Sequence, residues 1–204
     1  EQKENFTKLY PHFAAPHPIN VGAQVAANLT LVLSTVAVLV AWRDEADIKL
    51  LEQALTDGLT GLVNRRGWDA RAPAMFDQAR RHNTSLALVM LDLDHFKRIN
   101  DTQGHEVGDQ VLRLFASVLL QHRRSSDLAA RVGGEEFALL LPHTDLAAAL
   151  LIEQRLRAAL KATCERQPQL KVDYSAGLAL LQPTDDSLTT FMVRADSGLY
   201  LAKS

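Results

Sequence analysis

Two strand-like runs flank a pair of glycines in residues 128–141, which read LAARVGGEEFALLL. The apolar runs Leu128–Val132 and Phe137–Leu141 predict two antiparallel strands, because a glycine pair between such runs is typical of a hairpin. Primed hairpin turns need positive φ angles, so we expect left-handed backbone at Gly133 and Gly134. The tip of this hairpin is then exposed.

Helix and strand patterns alternate on both sides of the hairpin. Leu86–Leu91 is an apolar run typical of a buried strand, and Val172–Leu181 has the pattern of another strand. Apolar side chains recur with helical spacing in residues 68–79, 111–119, 146–160 and 188–202. We therefore expect an α/β (α+β) domain with a mixed central sheet flanked by helices.

The N-terminal part of the chain has a different pattern. After a polar segment at residues 1–20, residues 21–42 contain no charged side chain and form a helix of about 33 Å if they are helical. That length is enough to span a bilayer. The alternative is a long apolar helix that serves in signalling or dimerisation.

A helical linker is predicted at residues 43–56. Ala41, Ile48, Leu51 and Leu55 recur at spacings of seven, three and four, as in a narrow helical stripe. Two copies of the chain could pack along this stripe, or a single helix could lie on the following domain. The sequence leaves both arrangements open.

Composition and charge exclude several classes of protein. The formal net charge is -2, so the chain has no basic surplus with which to bind the backbone of DNA or RNA. Cys164 is the single cysteine, which excludes an intramolecular disulfide and a zinc cluster built from thiolates. Because the sequence begins with Glu1 rather than methionine, we expect a fragment or a processed chain.

Three acidic residues lie where a buried carboxylate would be costly without a cation. Asp92 and Asp94 follow the apolar strand at residues 86–91, and Glu135 follows the glycine pair. Residues two apart on a strand share a face, and Glu135 on a neighbouring strand could complete an oxygen-rich Mg²⁺ site with them. For each aspartate taken alone, capping of the next turn is the alternative.

Three ordered motifs place these acids in a wider pattern. The motifs are DGLTGLVNRR at residues 57–66, DLDHFKRINDTQGHEVGD at 92–109 and RVGGEEF at 131–137. Together they resemble the GGDEF family of diguanylate cyclases, over residues 57–204. The resemblance implies a palm-like nucleotidyl cyclase fold, preceded here by the long N-terminal helix. It also implies that two GTP molecules become cyclic di-GMP and two pyrophosphates across a homodimer, each domain holding one GTP.

The resemblance implies roles for the acids of the site. Asp92, the backbone carbonyl of Leu93 and Glu135 would bind Mg²⁺, or Mn²⁺ in its place. Glu135 is also the best match for the general base. Glu136 would orient or support the site, with an exposed hairpin charge as the alternative.

Substrate contacts are implied by the same resemblance. Asn100 and Asp109 match positions that read guanine, and a carboxylate accepts from both guanine N1–H and the exocyclic amine, which favours GTP over ATP. His105 matches a further substrate contact, with a structural hydrogen bond as the alternative.

Phosphate contacts are implied at two places. Phe96 and Lys97 match a loop over the phosphates, and Lys203 matches a contact with the γ-phosphate. The family usually continues with a glycine and a second basic residue, which we expect to be missing from this chain because it ends at Ser204.

An inhibitory site for the product is implied by Arg124 and Asp127, which match an RxxD motif. Arg155 matches a second arginine of that site. An ordinary surface pair for the first two residues and a solvated charge for Arg155 are the alternatives.

We therefore expect a product-inhibited diguanylate cyclase at a bacterial inner membrane, with the catalytic domain in the cytoplasm; a wholly cytoplasmic protein is the alternative. A receptor that only binds GTP or cyclic di-GMP is a second hypothesis. A cyclase that also uses ATP is a third, and Asp109 disfavours it.

Overall fold

The computed structural model describes residues 18–167 and 169–203, without the side chains of residues 18–20 and 44–53. Apart from the backbone of its last three residues, the predicted polar segment at residues 1–20 lies outside the described residues. The elements in chain order are α1 (Pro18–Leu55), α2 (Arg65–His82), β1 (Leu86–Leu93), α3 (Phe96–Gln103), α4 (His105–His122), β2 (Leu128–Arg131), β3 (Glu136–Pro142), α5 (Leu146–Arg166), β4 (Tyr174–Leu180) and α6 (Leu188–Lys203).

Helix α1 is continuous through the two predicted N-terminal segments. Its stretch Val21–Arg43 is long and apolar enough to cross a membrane, by length and composition, and none of that stretch is buried. The chain divides between Leu51 and Glu52 into two compact units, and all three motifs lie in the second.

The four strands form one sheet in the order β2-β3-β1-β4, and every pair is antiparallel. The predicted α+β class is confirmed. Among the described residues, parallel pairing occurs in an isolated bridge between Val63 and Ala130 at the β2 edge. Strand β1 is buried along its whole length, which explains why it reads as a continuous apolar run.

Helices cover both faces of this sheet. Helices α4 and α5 pack on one face, where the core includes Leu91, Phe115, Leu139, Leu156 and Leu160. Helices α2 and α6 pack on the other face, where the core includes Trp68, Phe76, Leu88, Leu140 and Phe191. Strand β1 therefore lies between two layers of helices.

The glycine hairpin joins β2 to β3 as predicted, but the prediction of a primed turn with positive φ angles is wrong. Neither Gly133 nor Gly134 has left-handed backbone. The connection is four residues long, and the amides of Val132 and Gly133 both donate to the Glu136 carbonyl at 2.9 and 3.2 Å. A Cβ on Gly133 would overlap the Glu136 carboxylate, so glycine provides room there rather than a positive φ.

Helix α6 packs closely on β4 because Gly177 has no side chain. A Cβ on Gly177 would overlap the backbone of Ala195 and Leu199, which cannot move aside unless the helix shifts. We expect Gly177→Ala to lower the free energy of unfolding by about 2 kcal/mol in urea denaturation.

Gly198, on the other side of the same contact, is the matched control. A Cβ there would lie 3.4 Å from the Gly177 Cα, an ordinary contact. Alanine is favoured over glycine inside a helix by about 1 kcal/mol, so Gly198→Ala should be neutral or stabilising. Equal destabilisation by both substitutions would contradict this account of the packing.

Candidate functional site

The ends of β1 and β3 bring the predicted metal-binding acids together. Asp92 is paired across the sheet with Glu136, and the Leu93 amide donates to the Glu135 carbonyl at 3.2 Å. Asp92 is only 7% exposed. The Lys203 ammonium, at the end of α6, lies 2.6 Å from its Oδ1. That oxygen has no donor with hydrogen-bond geometry among the described residues, so its charge is offset mainly by the ion pair.

Glu135 shares this electrostatic environment. Burial raises the pKa of Glu135, the negative charge of Asp92 raises it further, and the charge of Lys203 opposes both. Two carboxylates that repel each other this way attract a cation. The Glu136 side chain instead lies over Gly133 at the hairpin tip. It is exposed to solvent, whereas Asp92 is buried and Glu135 is partly buried.

The donor set fits a divalent cation that shares its coordination with a substrate. In residues 18–167 and 169–203, no group of three or more His, Cys, Asp or Glu side chains is arranged to hold a metal. Mg²⁺ usually takes only one or two carboxylates from the protein and completes its shell with water and phosphate oxygens. Asp92 with its poorly partnered oxygen, and Glu135 beside it, meet that requirement.

Asp94 lies just past the end of β1. Its Oδ1 accepts a hydrogen bond from the Ser175 hydroxyl at 2.7 Å, and its amide donates to the Asp173 carbonyl at 2.9 Å. Ser175 is the β4 partner of Asp92. The turn after the end of β1 is therefore fixed to the start of β4.

Phe96 and Lys97 were predicted to lie in a loop over the phosphates. The loop conformation is wrong, because both residues lie in the first turn of α3. His95 precedes them with left-handed backbone (φ 57°), and its side chain does not cap the helix. The Phe96 side chain is buried in the core. What faces outward is the helix N-terminus, which attracts anions, together with the exposed Lys97 charge.

The predicted guanine-reading residues lie where α3 and α4 meet. The Asn100 amide packs against Gly108, at a position that any Cβ on Gly108 would occupy. Asp109 follows directly on α4 and is half-buried. His105 is the first residue of α4 and is exposed. Glycine at residue 108 thus leaves room for the Asn100 side chain beside Asp109.

The predicted inhibitory motif forms a turn before β2. The Asp127 carboxylate is buried and accepts a hydrogen bond from the Arg124 amide at 2.7 Å, so it fixes the backbone of that residue. The side chains of Arg124 and Arg155 are both exposed. Arg155 lies on α5, and the structure records no ion pair for either arginine among the described side chains.

A clamp on the hairpin was not predicted from the sequence. Arg131 donates twice to the Gly134 carbonyl, at 3.0 and 2.7 Å, and pairs with Asp57 at 3.2 Å. Asp57 also accepts from the amide and hydroxyl of Thr60 at 2.9 and 2.6 Å. The motifs at residues 57–66 and 131–137 contain these residues, which is the signal that could have found them.

The contacts of this clamp lower the pKa of the Asp57 carboxylate. Burial acts to raise its pKa, but the hydrogen bonds from Thr60 and the charge of Arg131 outweigh burial and hold the pKa below its usual value. A lowered pKa adds stability above the unfolded-state pKa of about 3.9, and this stability is lost as the pH falls through the folded-state value.

Asp57→Asn keeps an acceptor for Thr60 but removes the ion pair. We expect it to lower the free energy of unfolding by about 1 kcal/mol at pH 7. The difference from the wild type should shrink as the pH is lowered below about 4. Asp69→Asn, which breaks an exposed pair with Arg65, is the control and should change stability little. A difference that stays constant from pH 7 to pH 3 would count against the ion pair.

Comparisons with known proteins identify the family to which most of this chain is similar. Residues 54–204 match the family model described as the diguanylate cyclase GGDEF domain. The response regulator PleD of Caulobacter vibrioides is 39% identical over 158 residues, which cover 76% of this chain and 35% of PleD. The chain therefore spans about a third of the length of that relative.

Solved structures are similar over most of the chain. The coiled coil and GGDEF domain of DgcB from Caulobacter crescentus, solved in complex with c-di-GMP, has a TM-score of 0.76 and 31% identity, covering 86% of this chain and 94% of that one. The active GGEEF domain of a diguanylate cyclase from Vibrio cholerae has a TM-score of 0.64 and 32% identity, covering 70% and 91%.

Proposed function

The chain belongs to the diguanylate cyclase GGDEF domain family, and on that basis we propose that it converts two GTP into cyclic di-GMP and two pyrophosphates. The observation that carries this proposal is the buried Asp92 carboxylate beside Glu135 and Lys203 at the end of the central strand. A structural module has no need of repelling carboxylates at that position.

Different residues of the site would bind the metal and the triphosphate in a phosphoryl transfer. Asp92, the Leu93 carbonyl and Glu135 would hold Mg²⁺ or Mn²⁺, which would supply charge neutralisation at the phosphates and a lowered pKa at the attacking hydroxyl. The N-terminus of α3 and the side chains of Lys97 and Lys203 hold the triphosphate.

The reaction joins two half-sites. The 3′-hydroxyl of one GTP attacks the α-phosphorus of the other, the new P–O bond forms, and the bond to pyrophosphate breaks. A second attack in the opposite direction closes the ring and releases the second pyrophosphate. Glu135 is the candidate acceptor of the hydroxyl proton, a role that the resemblance to the family implies for this position. Each domain holds one GTP, so the second half-site comes from a second copy of the chain.

Selection of GTP rests on Asn100 and Asp109. The carboxylate of Asp109 accepts from N1–H and the exocyclic amine of guanine, whereas adenine offers no such pair of donors. The half-buried position of Asp109 supports this role, because an unmatched carboxylate there would be costly for a wrong base.

Helix α1 would attach and pair the domains. Its apolar stretch Val21–Arg43 suits a membrane anchor at the bacterial inner membrane, with the catalytic domain in the cytoplasm. The similarity to a coiled coil and GGDEF domain extends over 86% of this chain, which supports a helical linker that brings two copies together.

Glu135→Gln tests the catalytic assignment. The substitution keeps the size of the side chain but removes its charge, so we expect synthesis of cyclic di-GMP to fall by about 100-fold or more. Wild type and variant are incubated with GTP and Mg²⁺, and the products are separated by anion-exchange chromatography. Glu165→Gln, on the exposed side of α5, is the matched control and should retain activity.

Undiminished synthesis by Glu135→Gln would remove the metal assignment. A wild-type chain that binds GTP or cyclic di-GMP but makes no product would instead support the receptor hypothesis.

Product inhibition is proposed at Arg124, Asp127 and Arg155. An arginine fork contacts guanine O6 and N7, and such a pair is worth about 1–3 kcal/mol. We therefore expect Arg124→Ala to raise the inhibition constant for cyclic di-GMP about tenfold or more without loss of folding, because the Arg124 side chain is exposed. Arg81→Ala, also exposed, is the control. Unchanged inhibition in Arg124→Ala would place the inhibitory site elsewhere.

A further inference from the structure

Arg157, on α5, holds the first residues of β4. Its Nη1 donates to the Asp173 carboxylate at 3.0 Å and to the Tyr174 carbonyl at 3.1 Å. The guanidinium also lies over the Tyr174 ring, 4.4 Å from its centroid. Two hydrogen bonds and a ring contact therefore fix one arginine to two consecutive residues.

Glu153 fixes the direction of this guanidinium. Its Oε1 accepts from Nε and Nη2 of Arg157 at 3.0 and 2.6 Å, from one turn earlier on α5. The backbone carbonyl of Glu153 in turn accepts from the Tyr174 hydroxyl at 3.3 Å. Glu153 thus binds Nε and Nη2 of Arg157, while Nη1 binds Asp173 and Tyr174. These contacts hold the guanidinium in one orientation between α5 and the start of β4.

The residues that Arg157 holds are the partners of the catalytic strand end. Tyr174 is paired with Leu93 across the sheet, and the Asp173 carbonyl accepts from the Asp94 amide at 2.9 Å. On its other side, this strand end is held by the hydrogen bond from Leu93 to the Glu135 carbonyl.

Strand β4 is the edge of the four-stranded sheet, so its first residues have a strand partner on one side only. The side chain of Arg157 supplies a fixed contact from α5 instead. Without it, the backbone at Asp173 and Tyr174 would lose its second support, and the turn after Asp92 would lose the rigidity that positions a metal ligand.

We infer that Arg157 is a positioning residue for the reaction: it holds the start of β4 so that Asp92 and the Leu93 carbonyl keep the geometry of the metal site. It acts through Asp173 and Tyr174 and does not itself contact the substrate. This inference rests on the proposed function for its catalytic consequence, but its structural part does not.

Arg157→Met keeps the unbranched apolar stem of the side chain and removes the guanidinium with all of these polar contacts. In hydrogen–deuterium exchange on the protein without nucleotide, we expect faster exchange in a peptide covering residues 91–97 and unchanged exchange in residues 137–141 of β3. In steady-state assays with GTP and Mg²⁺, kcat should fall about tenfold with KM for GTP within a factor of two, because the guanine and phosphate contacts on α3 and α4 are untouched.

Two further variants keep the test decisive. Arg157→Lys retains the charge but not the fork, so its exchange and kcat should lie between the wild type and Arg157→Met. Arg166→Met, on the same helix, is the control: Arg166 bonds only to the Ala162 carbonyl of its own helix among the hydrogen bonds of the described residues, and both readouts should match the wild type.

Wild-type exchange at residues 91–97 in Arg157→Met would overturn the inference. So would faster exchange throughout the domain with a large loss of thermal stability, because Arg157 would then support the fold in general. If the wild type makes no cyclic di-GMP, the proposed function fails, while the exchange result still decides whether Arg157 positions the strand end.

Discussion

The burial of the Asp92 carboxylate is the constraint on which the arrangement of the domain depends. A charged group that is 7% exposed needs a cation close by. In this structure that cation is Lys203, on the last turn of α6. Helix α6 must therefore lie along the sheet as far as the end of β1. It can do so because Gly177 lets the helix backbone approach β4.

A second set of contacts joins the end of α1 to the glycine hairpin. The Asn64 side chain donates to the carbonyls of Ala54 and Thr56 at 2.9 and 3.1 Å. Asp57 follows immediately and pairs with Arg131, which holds the Gly134 carbonyl. The residue after Gly134 is Glu135. The first and third motifs are thus parts of one hydrogen-bonded unit next to Glu135, which explains why residues so far apart in sequence occur together.

Much of the fold could be predicted from the sequence, because continuous apolar runs and helical spacing directly reflect burial on two faces of a sheet. Local geometry was harder. The Gly133 prediction failed because glycine there makes room for the Glu136 carboxylate, and sequence does not separate room from backbone freedom. Helix α3 was missed because eight residues are too few to show a period, and it follows a left-handed His95. The side-chain contacts of individual arginines could not be predicted: Arg155 and Arg157 look alike in sequence, yet one is exposed and the other is fixed to the start of β4.

We propose that Asp92 is a ligand for a divalent cation and has Lys203 as its partner when none is bound. The most direct measurement is a Mn²⁺ titration followed by electron paramagnetic resonance, with a non-hydrolysable GTP analogue present, on the wild type and on Asp92→Asn. The account predicts that the wild type binds Mn²⁺ beyond what the nucleotide holds in solution, with broadening of the signal by the protein, and that Asp92→Asn loses this fraction while still binding the nucleotide. Equal Mn²⁺ binding by both proteins would contradict it.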